Sequence, residues 1–290
     1  MAVLEVPAYA KINLSLDVTG KREDGYHELS TLMQTVELHD MVRIEEIKGE
    51  KIYLECNVPG LPVDSSNLAW KAADILMRST GIRKGLKISI EKRIPLSAGL
   101  AGGSADAAAV LRGLNELFSL GLDNAGLRKI GKYLGADVPY CVAGGTMLAG
   151  GIGEILTPLP EFSGVDVVIV RPKVKVLTAN VFERLKLQDI PRGGRPDTPL
   201  LTEALKKRDV GLVAKHMKNV LEHVTIPEYP VVGEAKKRLM AAGALGSVMS
   251  GSGPAVFGLF KDSITASAAY EKLSSETAWE CFKTRTTGGM

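Results

Sequence analysis

The sequence PLSAGLAGGSAD, residues 95–106, is the most informative stretch of the chain. It follows an alternating apolar segment at residues 85–94, typical of a strand, and leads into an apolar segment at residues 104–117, typical of a helix. Glycines let backbone N–H groups approach a phosphate, and the positive end of the following helix points to the same place. We therefore predict a phosphate-binding loop here, rather than a tight turn that serves packing alone.

Two widespread phosphate motifs are absent from the chain. The sequence contains no G-x-x-x-x-G-K-[ST] pattern, which excludes a P-loop nucleotidase. It also lacks a G-x-G-x-x-G pattern that opens a βαβ unit and precedes an acidic residue about 20 positions on, so a dinucleotide site is unsupported.

Composition narrows the class of protein. The chain has 290 residues, of which 45% are apolar and 24% charged, as is ordinary for a globular enzyme. A formal charge of +3 gives no argument for nucleic acid or an anionic membrane as partner, so neither is expected. Three dispersed cysteines and no C-x-x-C pair predict neither a disulfide framework nor a zinc site. No signal peptide or long apolar run is evident, which predicts a cytoplasmic protein.

The apolar pattern predicts an α+β chain of two lobes that meet near residue 160, with domains at residues 1–160 and 161–290. A helix at residues 67–80 is expected to be capped by Ser65 or Ser66. Strands and helices are predicted at these positions: strands at 3–18, 32–47, 51–58, 85–94 and 165–170, and helices at 67–80, 104–117, 124–134 and over most of 200–242.

Four further segments carry candidate functional residues. Lys11 and Asn13 share one face of the first predicted strand, where a lysine is ordinarily a solvated surface residue. Asp137, in GADVP, either caps a turn or serves as a general base. Tyr26 and His27 follow a charged loop and are either packing residues or ligand contacts. The glycine segment SGSGP at residues 250–254 is either a hairpin turn or part of a site.

Taken in order, these segments resemble the GHMP kinases over nearly the whole chain. The loop at residues 96–105 resembles the family's ATP-phosphate loop, and residues 247–254 resemble its C-terminal glycine motif. The segments PAYAKINL, GYHEL and GADVP are most similar to those members that phosphorylate the 2-hydroxyl of a cytidyl-diphosphate-linked polyol in the non-mevalonate route to isoprenoid precursors. The alternatives are a GHMP kinase for homoserine or phosphomevalonate, and a non-enzymatic nucleotide- or RNA-binding protein.

The resemblance implies a role for each candidate residue. Lys11 and Asp137 match the catalytic pair, and the acceptor substrate would contact Asn13, Tyr26, His27 and Phe182. ATP would bind together with Mg²⁺. The residues that match its site are Pro95, Leu96, Ser97, Ala98, Gly99, Leu100, Ala101, Gly102, Gly103, Ser104 and Ala105, with Asn67, Leu68 and Lys92 toward the adenine.

One residue of the loop departs from the family pattern. Ala101 stands where many relatives have glycine, and the loop is expected to be intact if Ala101 keeps a negative φ. The fold implied by the resemblance has an N-terminal lobe like the second domain of ribosomal protein S5 and a ferredoxin-like C-terminal lobe, with the substrate in the cleft between them.

Overall fold

The computed structural model describes residues 2–289 and divides into two compact units. The first unit lies within residues 1–10, 39–95 and 101–143, and the second comprises residues 11–38, 96–100 and 144–290. Strands β1 (Val3–Lys21) and β2 (His27–Ile47) are neighbours in one sheet, and each contributes residues to both units. These long strands are shared between the units, and the predicted boundary near residue 160 stays a prediction.

The first unit is built on β3 (Ile52–Cys56) and β4 (Gly85–Glu91), which pair in parallel, while β4 pairs antiparallel with β2. The register of β4 and β2 sets Ile88 opposite Ile44, so their apolar side chains meet on the buried face. Four helices belong to this unit: α1 (Leu68–Thr80), α2 (Gly102–Leu117), α3 (Asn124–Gly131) and α4 (Val138–Ala143).

The start of α1 differs from the prediction. Asn67, rather than Ser65 or Ser66, is its N-cap, and Asn67 Oδ1 accepts a hydrogen bond of 2.9 Å from the Ala69 amide. Ser66 is instead bound to the side chain of Asp64 at 2.6 Å, so it is not available to the helix. Gly81 ends α1 in the left-handed conformation, as is typical of a helix C-terminus.

The second unit contains two sets of strands. β5 (Thr146–Gly150) pairs with β2 and with β6 (Ile155–Pro158), and β8 (Lys218–Asn219) pairs in parallel with β1. A separate antiparallel sheet has the order β11–β7–β10–β9, formed by Trp279–Arg285, Asp166–Pro172, Val256–Phe260 and Gly246–Met249.

Six α-helices accompany these strands in the described part of the second unit. They are α5 (Thr178–Arg184), α6 (Thr198–Lys206), α7 (Val210–His216), α8 (Glu222–Glu228), α9 (Pro230–Ala241) and α10 (Ser263–Ser274), and a 3₁₀ turn spans Leu187–Asp189. Apolar residues of β7, β10, α9 and α10 form one buried core.

The predicted α+β class is confirmed, whereas helices α4 and α5 were not predicted as helices. Both are short and lack a long apolar period, which is the signal that identified the others. Within residues 2–289, no helix is long and apolar enough to cross a membrane.

Gly246 is a position where the second unit tolerates no side chain. A Cβ added there would lie 2.1 Å from the carbonyl oxygen of Ala214 in α7, and backbone cannot easily move away. We expect Gly246→Ala to lower the free energy of unfolding by about 1–3 kcal/mol, the usual cost of overpacking. Urea unfolding measures this change. The control is Gly20→Ala, because nothing lies within 4 Å of a Cβ added at Gly20; equal losses in both variants would contradict the prediction.

Candidate active site

Lys11 lies in the middle of β1 with only 4% of its surface exposed. Its ammonium donates hydrogen bonds to Asn13 Oδ1 at 2.7 Å and to the Gly99 carbonyl at 3.1 Å. The alternative of a solvated surface lysine is therefore wrong. Two of the three ammonium N–H groups have these internal partners, which leaves one for a ligand.

Asn13 joins three motifs that are far apart in the sequence. Besides the bond from Lys11, its Oδ1 accepts a hydrogen bond of 2.9 Å from the Gly251 amide, and Ser250 Oγ lies 3.3 Å away. Ser250 Oγ also donates to the Gly99 carbonyl at 2.9 Å. The first strand, the phosphate-loop sequence and the SGSGP segment thus meet in the second unit.

The SGSGP segment has one of the two roles that its sequence left open, and its part in a site stays a prediction. It connects the antiparallel strands β9 and β10, and therefore it is a hairpin connection. Its residues Ser250 and Gly251 also contact the Lys11 network. Gly99 fits against it because a Cβ added at Gly99 would lie 2.2 Å from the Ser250 carbonyl oxygen.

The contacts of Asn13 indicate an internal structural role. Its side-chain amide donates to Thr31 Oγ1 at 2.8 Å, and the residue is 1% exposed. The oxygen of Asn13 orients Lys11 within the protein. The predicted contact between Asn13 and a substrate stays a prediction.

The backbone of the phosphate loop alternates between left-handed and ordinary conformations. Ser97 has a φ of 51°, Gly99 of 80° and Ala101 of 59°. The condition of a negative φ at Ala101, on which an intact loop was expected, is therefore not met. A left-handed alanine costs roughly 1–2 kcal/mol, and here it makes the turn that begins α2.

The N-terminus of α2 is open to an anion. Its N-cap Ala101 has no side-chain acceptor, and the first turn contains no acidic residue. Among residues 2–289, the amides of Gly102, Gly103 and Ser104 have no hydrogen-bond acceptor, and Ala105 is the first to bond back, to Ala101 at 2.9 Å. A free first turn of this kind is a site for phosphate oxygens.

Leu68 and Asn67 lie at the start of α1. A Cβ added at Gly103 would meet only Leu68 Cδ1, at 3.9 Å, so Leu68 borders the open first turn of α2. Asn67 uses its oxygen to cap α1 and its amide to bind the Pro62 carbonyl at 2.7 Å. Their proposed contacts with adenine stay predictions.

The first unit contains a buried group of three charges beside the start of α2. Lys92 donates to Asp106 Oδ2 at 2.7 Å and also contacts the carboxylate of Asp40. Asp40 Oδ1 in turn accepts hydrogen bonds from the amides of Arg93 and Ile94. Lys92 Nζ would lie 3.2 Å from a Cβ added at Gly102. The group therefore ties the chain before the loop to the helix after it.

Burial and the neighbouring charges change the pKa values of Lys92 and Asp106. Burial alone would lower the pKa of Lys92, but the charges of Asp106 and Asp40 outweigh it and raise that pKa. Burial raises the pKa of Asp106 to about 7; the Lys92 charge opposes this rise and the Asp40 charge adds to it. Asp106 Oδ1 has no hydrogen-bond partner. Lys92, which was predicted to lie toward the adenine, is thus bound to two carboxylates. Its contact with a nucleotide stays a prediction.

Asp137 precedes α4 in the first unit and is half-buried. Its backbone carbonyl accepts a hydrogen bond of 3.0 Å from Cys141. In the described part of the chain its carboxylate makes no hydrogen bond or ion pair, so nothing supports the alternative of a turn-capping aspartate. Its carboxylate oxygens are left to accept hydrogen bonds from a ligand.

Aromatic rings gather elsewhere in the second unit. The rings of His27 and Phe182 have centroids 5.4 Å apart and planes inclined by 33°. Tyr26 is 60% exposed. Burial lowers the pKa of His27, and the charge of Lys21 lowers it further, which favours the neutral ring. Phe182 lies on α5, whose Thr178 is 2.8 Å from Ser252 Oγ in the SGSGP segment.

The sequence matches family models and named relatives over most of its length. The GHMP kinases N terminal domain matches residues 67–145, and the GHMP kinases C terminal domain matches residues 201–278. A protein of Acetivibrio thermocellus named 4-diphosphocytidyl-2-C-methyl-D-erythritol kinase is 54% identical over 286 residues, 99% of this chain and 100% of that protein. A protein of Alkaliphilus oremlandii with the same name is 49% identical over 94% of each chain. The chain belongs to the 4-diphosphocytidyl-2-C-methyl-D-erythritol kinase family of GHMP kinases.

Solved structures agree with this family. The crystal structure of a 4-(cytidine 5'-diphospho)-2C-methyl-D-erythritol kinase is 34% identical, with a TM-score of 0.84 over 99% of this chain and 100% of that one. A homoserine kinase from Cytophaga hutchinsonii, 22% identical with a TM-score of 0.80 over 99% and 95% of the chains, shares the fold alone. The predicted GHMP kinase fold and the prediction of an ATP-dependent small-molecule kinase are confirmed.

Some residues around this kinase site were not predicted. Asp40 and Asp106 belong to the buried charge group, and Asn219 contacts the SGSGP segment. The sequence could have identified Asp106, because it is a charged residue inside an alanine-rich helix. Asp40 and Asn219 lie in segments whose local pattern does not distinguish them from surface polar residues.

The charge group predicts a pH dependence of stability. Because the folded pKa of Asp106 is about 7 and its ordinary value is 3.8, the native state holds this proton more tightly than the unfolded chain does. Between these values the native state binds more protons, so this group lowers stability as pH rises from about 4 to about 7. Asp106→Asn cannot ionise and should remove that contribution.

The measurement is urea unfolding of wild type and Asp106→Asn at several pH values between about 4 and about 8. The free energy of unfolding of the wild type should fall relative to that of the variant as the pH rises. A difference between the two proteins that does not change with pH would show that folding does not raise the pKa of Asp106.

Proposed function

We propose that the chain transfers the γ-phosphoryl group of ATP to the 2-hydroxyl of 4-diphosphocytidyl-2-C-methyl-D-erythritol, in the non-mevalonate route to isoprenoid precursors and in the cytoplasm. One observation carries the site: a buried lysine whose ammonium is held by Asn13 and by the Gly99 carbonyl of the phosphate loop. The names of relatives that are 44–54% identical over nearly the whole chain support the choice of substrate.

The open first turn of α2 is proposed to bind the phosphates of ATP. Its free amides provide hydrogen bonds without any cationic side chain, and the helix dipole favours negative charge at this end. Mg²⁺ is proposed to enter with ATP as part of the substrate. Within residues 2–289 there is no group of three or more His, Cys, Asp or Glu side chains that could hold a metal ion, which fits a metal carried by the nucleotide.

Lys11 and Asp137 are proposed to act on the acceptor hydroxyl. Phosphoryl transfer passes through a loose, highly charged transition state, so positioning and charge stabilisation supply most of the catalysis. The carboxylate of Asp137, which has no internal partner, would accept the hydroxyl proton. The remaining N–H of Lys11 would stabilise the developing negative charge on oxygen.

The cytidyl end of the substrate is proposed to bind at Tyr26, His27 and Phe182. The adjacent rings of His27 and Phe182 provide a flat apolar surface, and the exposed Tyr26 is free to pack on a ligand. A neutral His27 has one ring nitrogen that donates and one that accepts a hydrogen bond, as the polar edge of cytosine requires.

The alternatives of a homoserine or phosphomevalonate kinase are not favoured. The homoserine kinase of similar fold is only 22% identical, whereas several relatives named for the cytidyl substrate exceed 44%. A non-enzymatic nucleotide-binding protein is not favoured either, because the chain belongs to a kinase family.

Removal of the proposed base is the direct test of the mechanism. Asp137→Asn keeps the shape of the side chain but cannot accept a proton, so turnover should fall by about 10²–10⁴-fold with little change in substrate affinity. Steady-state kinetics and calorimetric binding measure the two effects. Near-normal turnover by a folded Asp137→Asn protein would remove Asp137 from the mechanism.

Substrate choice depends on the cytidyl end. Wild type should release ADP efficiently only with the cytidyl-diphosphate-linked polyol, and poorly with methylerythritol, homoserine or mevalonate. His27→Ala and Phe182→Ala should each lower kcat/KM for that substrate by roughly tenfold or more, since stacking on a base contributes about 1–3 kcal/mol. The control is Tyr133→Ala, an exposed aromatic on the other unit, which should leave kcat/KM unchanged.

Two outcomes of the same assay would contradict parts of this proposal. If wild type accepts the uncapped polyol as readily as the cytidyl form, the aromatic group does not select the substrate. If Phe182→Ala alone has no effect, α5 does not take part in binding, while the proposed role of His27 is retained.

A further inference from the structure

Asn219 is a buried polar residue to which the mechanism above gives no role. It ends the short strand β8, which pairs with β1 at Ser15 and Leu16, close along the chain to Lys11 and Asn13. Only 3% of its surface is exposed. A side-chain amide buried to this degree must be fully hydrogen-bonded within the protein, and its partners show what it holds in place.

The three polar positions of Asn219 all have partners. Its amide nitrogen donates to the carbonyls of Met249 and Gly251, at 2.8 and 2.7 Å, and its oxygen accepts from the Leu221 amide at 2.9 Å. Carbonyls can only accept and an amide N–H can only donate, so these partners determine the orientation of the side chain. Asn219 therefore clamps the backbone on both sides of Ser250.

A continuous series of hydrogen bonds runs from this clamp to Lys11. The Gly251 carbonyl is held by Asn219, while the Gly251 amide donates to Asn13 Oδ1 at 2.9 Å. The same oxygen accepts the bond of 2.7 Å from Lys11 Nζ. A Cβ added at Gly251 would lie 3.5 Å from Lys11 Nζ, which shows how close this backbone is to the ammonium.

Gly251 needs an external constraint. Its φ is 56°, in the left-handed region that glycine enters and leaves at little cost. Without the bond to its carbonyl, rotation about this residue would turn the amide away from Asn13. Asn13 would then lose one of the bonds that orient its oxygen toward Lys11.

We propose that Asn219 is a positioning residue for phosphoryl transfer, which holds the Gly251 amide toward Asn13 and thereby fixes the ammonium of Lys11. The inference rests on the proposed function, because it assumes that Lys11 acts on the reacting groups. The polar atoms of Asn219 all have internal partners, so it would act through Lys11 rather than on a substrate.

Thr225 provides a control that distinguishes a positioning role of Asn219 from a general effect on stability. Thr225 is fully buried, and its hydroxyl donates to the Ser252 carbonyl at 3.2 Å in the same SGSGP segment. In the described hydrogen bonds, Thr225 has no link to Asn13 or Lys11. Thr225→Val therefore removes one buried bond to this segment and leaves the series from Asn219 to Lys11 in place.

The first experiment is steady-state kinetics of Asn219→Leu, Asn219→Asp, Thr225→Val and Lys11→Met with ATP and the cytidyl polyol. Both Asn219 variants should lower kcat by about 10–100-fold with little change in either KM, since a small misplacement of a catalytic group is felt mainly in the transition state. Thr225→Val should keep a kcat near that of wild type. Equal kcat values for Asn219→Leu, Asn219→Asp and Thr225→Val would overturn the proposal.

Hydrogen exchange gives a second readout that does not depend on activity. The Gly251 amide of wild type should exchange slowly, and its protection should fall in the Asn219 variants but not in Thr225→Val. Should neither Asn219 variant fold, the wild-type measurement decides, because rapid exchange at Gly251 would show that the amide is not held.

The role of Lys11 is tested separately. A fully active Lys11→Met protein would remove Lys11 from the proposed function, whatever the Asn219 variants do. Loss of activity in Lys11→Met together with normal kcat in both Asn219 variants would overturn the positioning role of Asn219 alone.

Discussion

The buried ammonium of Lys11 is the constraint on which the rest of the site depends. A charged amine removed from water is stable in the protein only when it is paired and hydrogen-bonded, and here its partners are an amide oxygen and a backbone carbonyl rather than a carboxylate. Each of these neutral partners must be oriented by another part of the chain. Asn13 is held by Gly251 and Thr31, and the Gly99 carbonyl is held by Ser250. The convergence of three distant segments follows from this single requirement.

In the first unit, the buried Lys92 near the start of α2 is stabilised by carboxylates instead of neutral groups. Lys92 is paired with two carboxylates, so the group as a whole has one more negative than positive charge when both are ionised. The excess is relieved by the raised pKa of Asp106, which keeps part of its population protonated near neutral pH. A phosphate bound at the first turn of α2 would therefore meet a group that is nearly neutral rather than repulsive.

Much of the fold could be predicted because long strands and helices carry their own period. The segment at residues 85–94 alternates apolar and charged residues, and α2 continues an apolar helix pattern for four turns, so both were predicted close to their observed bounds. The short helices α4 and α5 have too few residues to show a period. The left-handed Ala101 was missed because its conformation is imposed by the start of α2, and alanine by itself favours negative φ. Lys11 and His27 were candidates from their own segments and received roles from the resemblance to a family, which alone pointed to Phe182. The clamp by Asn219 depends on contacts that only the folded chain makes.

The way the chain is divided between its two units has a consequence for its synthesis. The backbone passes from one unit to the other five times, and residues made early pair with residues made much later: Gln34 donates to the carbonyl of Thr287, 253 positions later. At about 5–20 residues per second, a ribosome needs roughly 13–50 seconds to cover that separation. During this time residues 34–38 of β2 lack the late partners that complete their hydrogen bonds, so the nascent chain presents an incompletely bonded apolar strand to the cell. Translation speed and access to chaperones therefore bear on the yield of this protein more than they would for a chain whose domains follow one another in sequence.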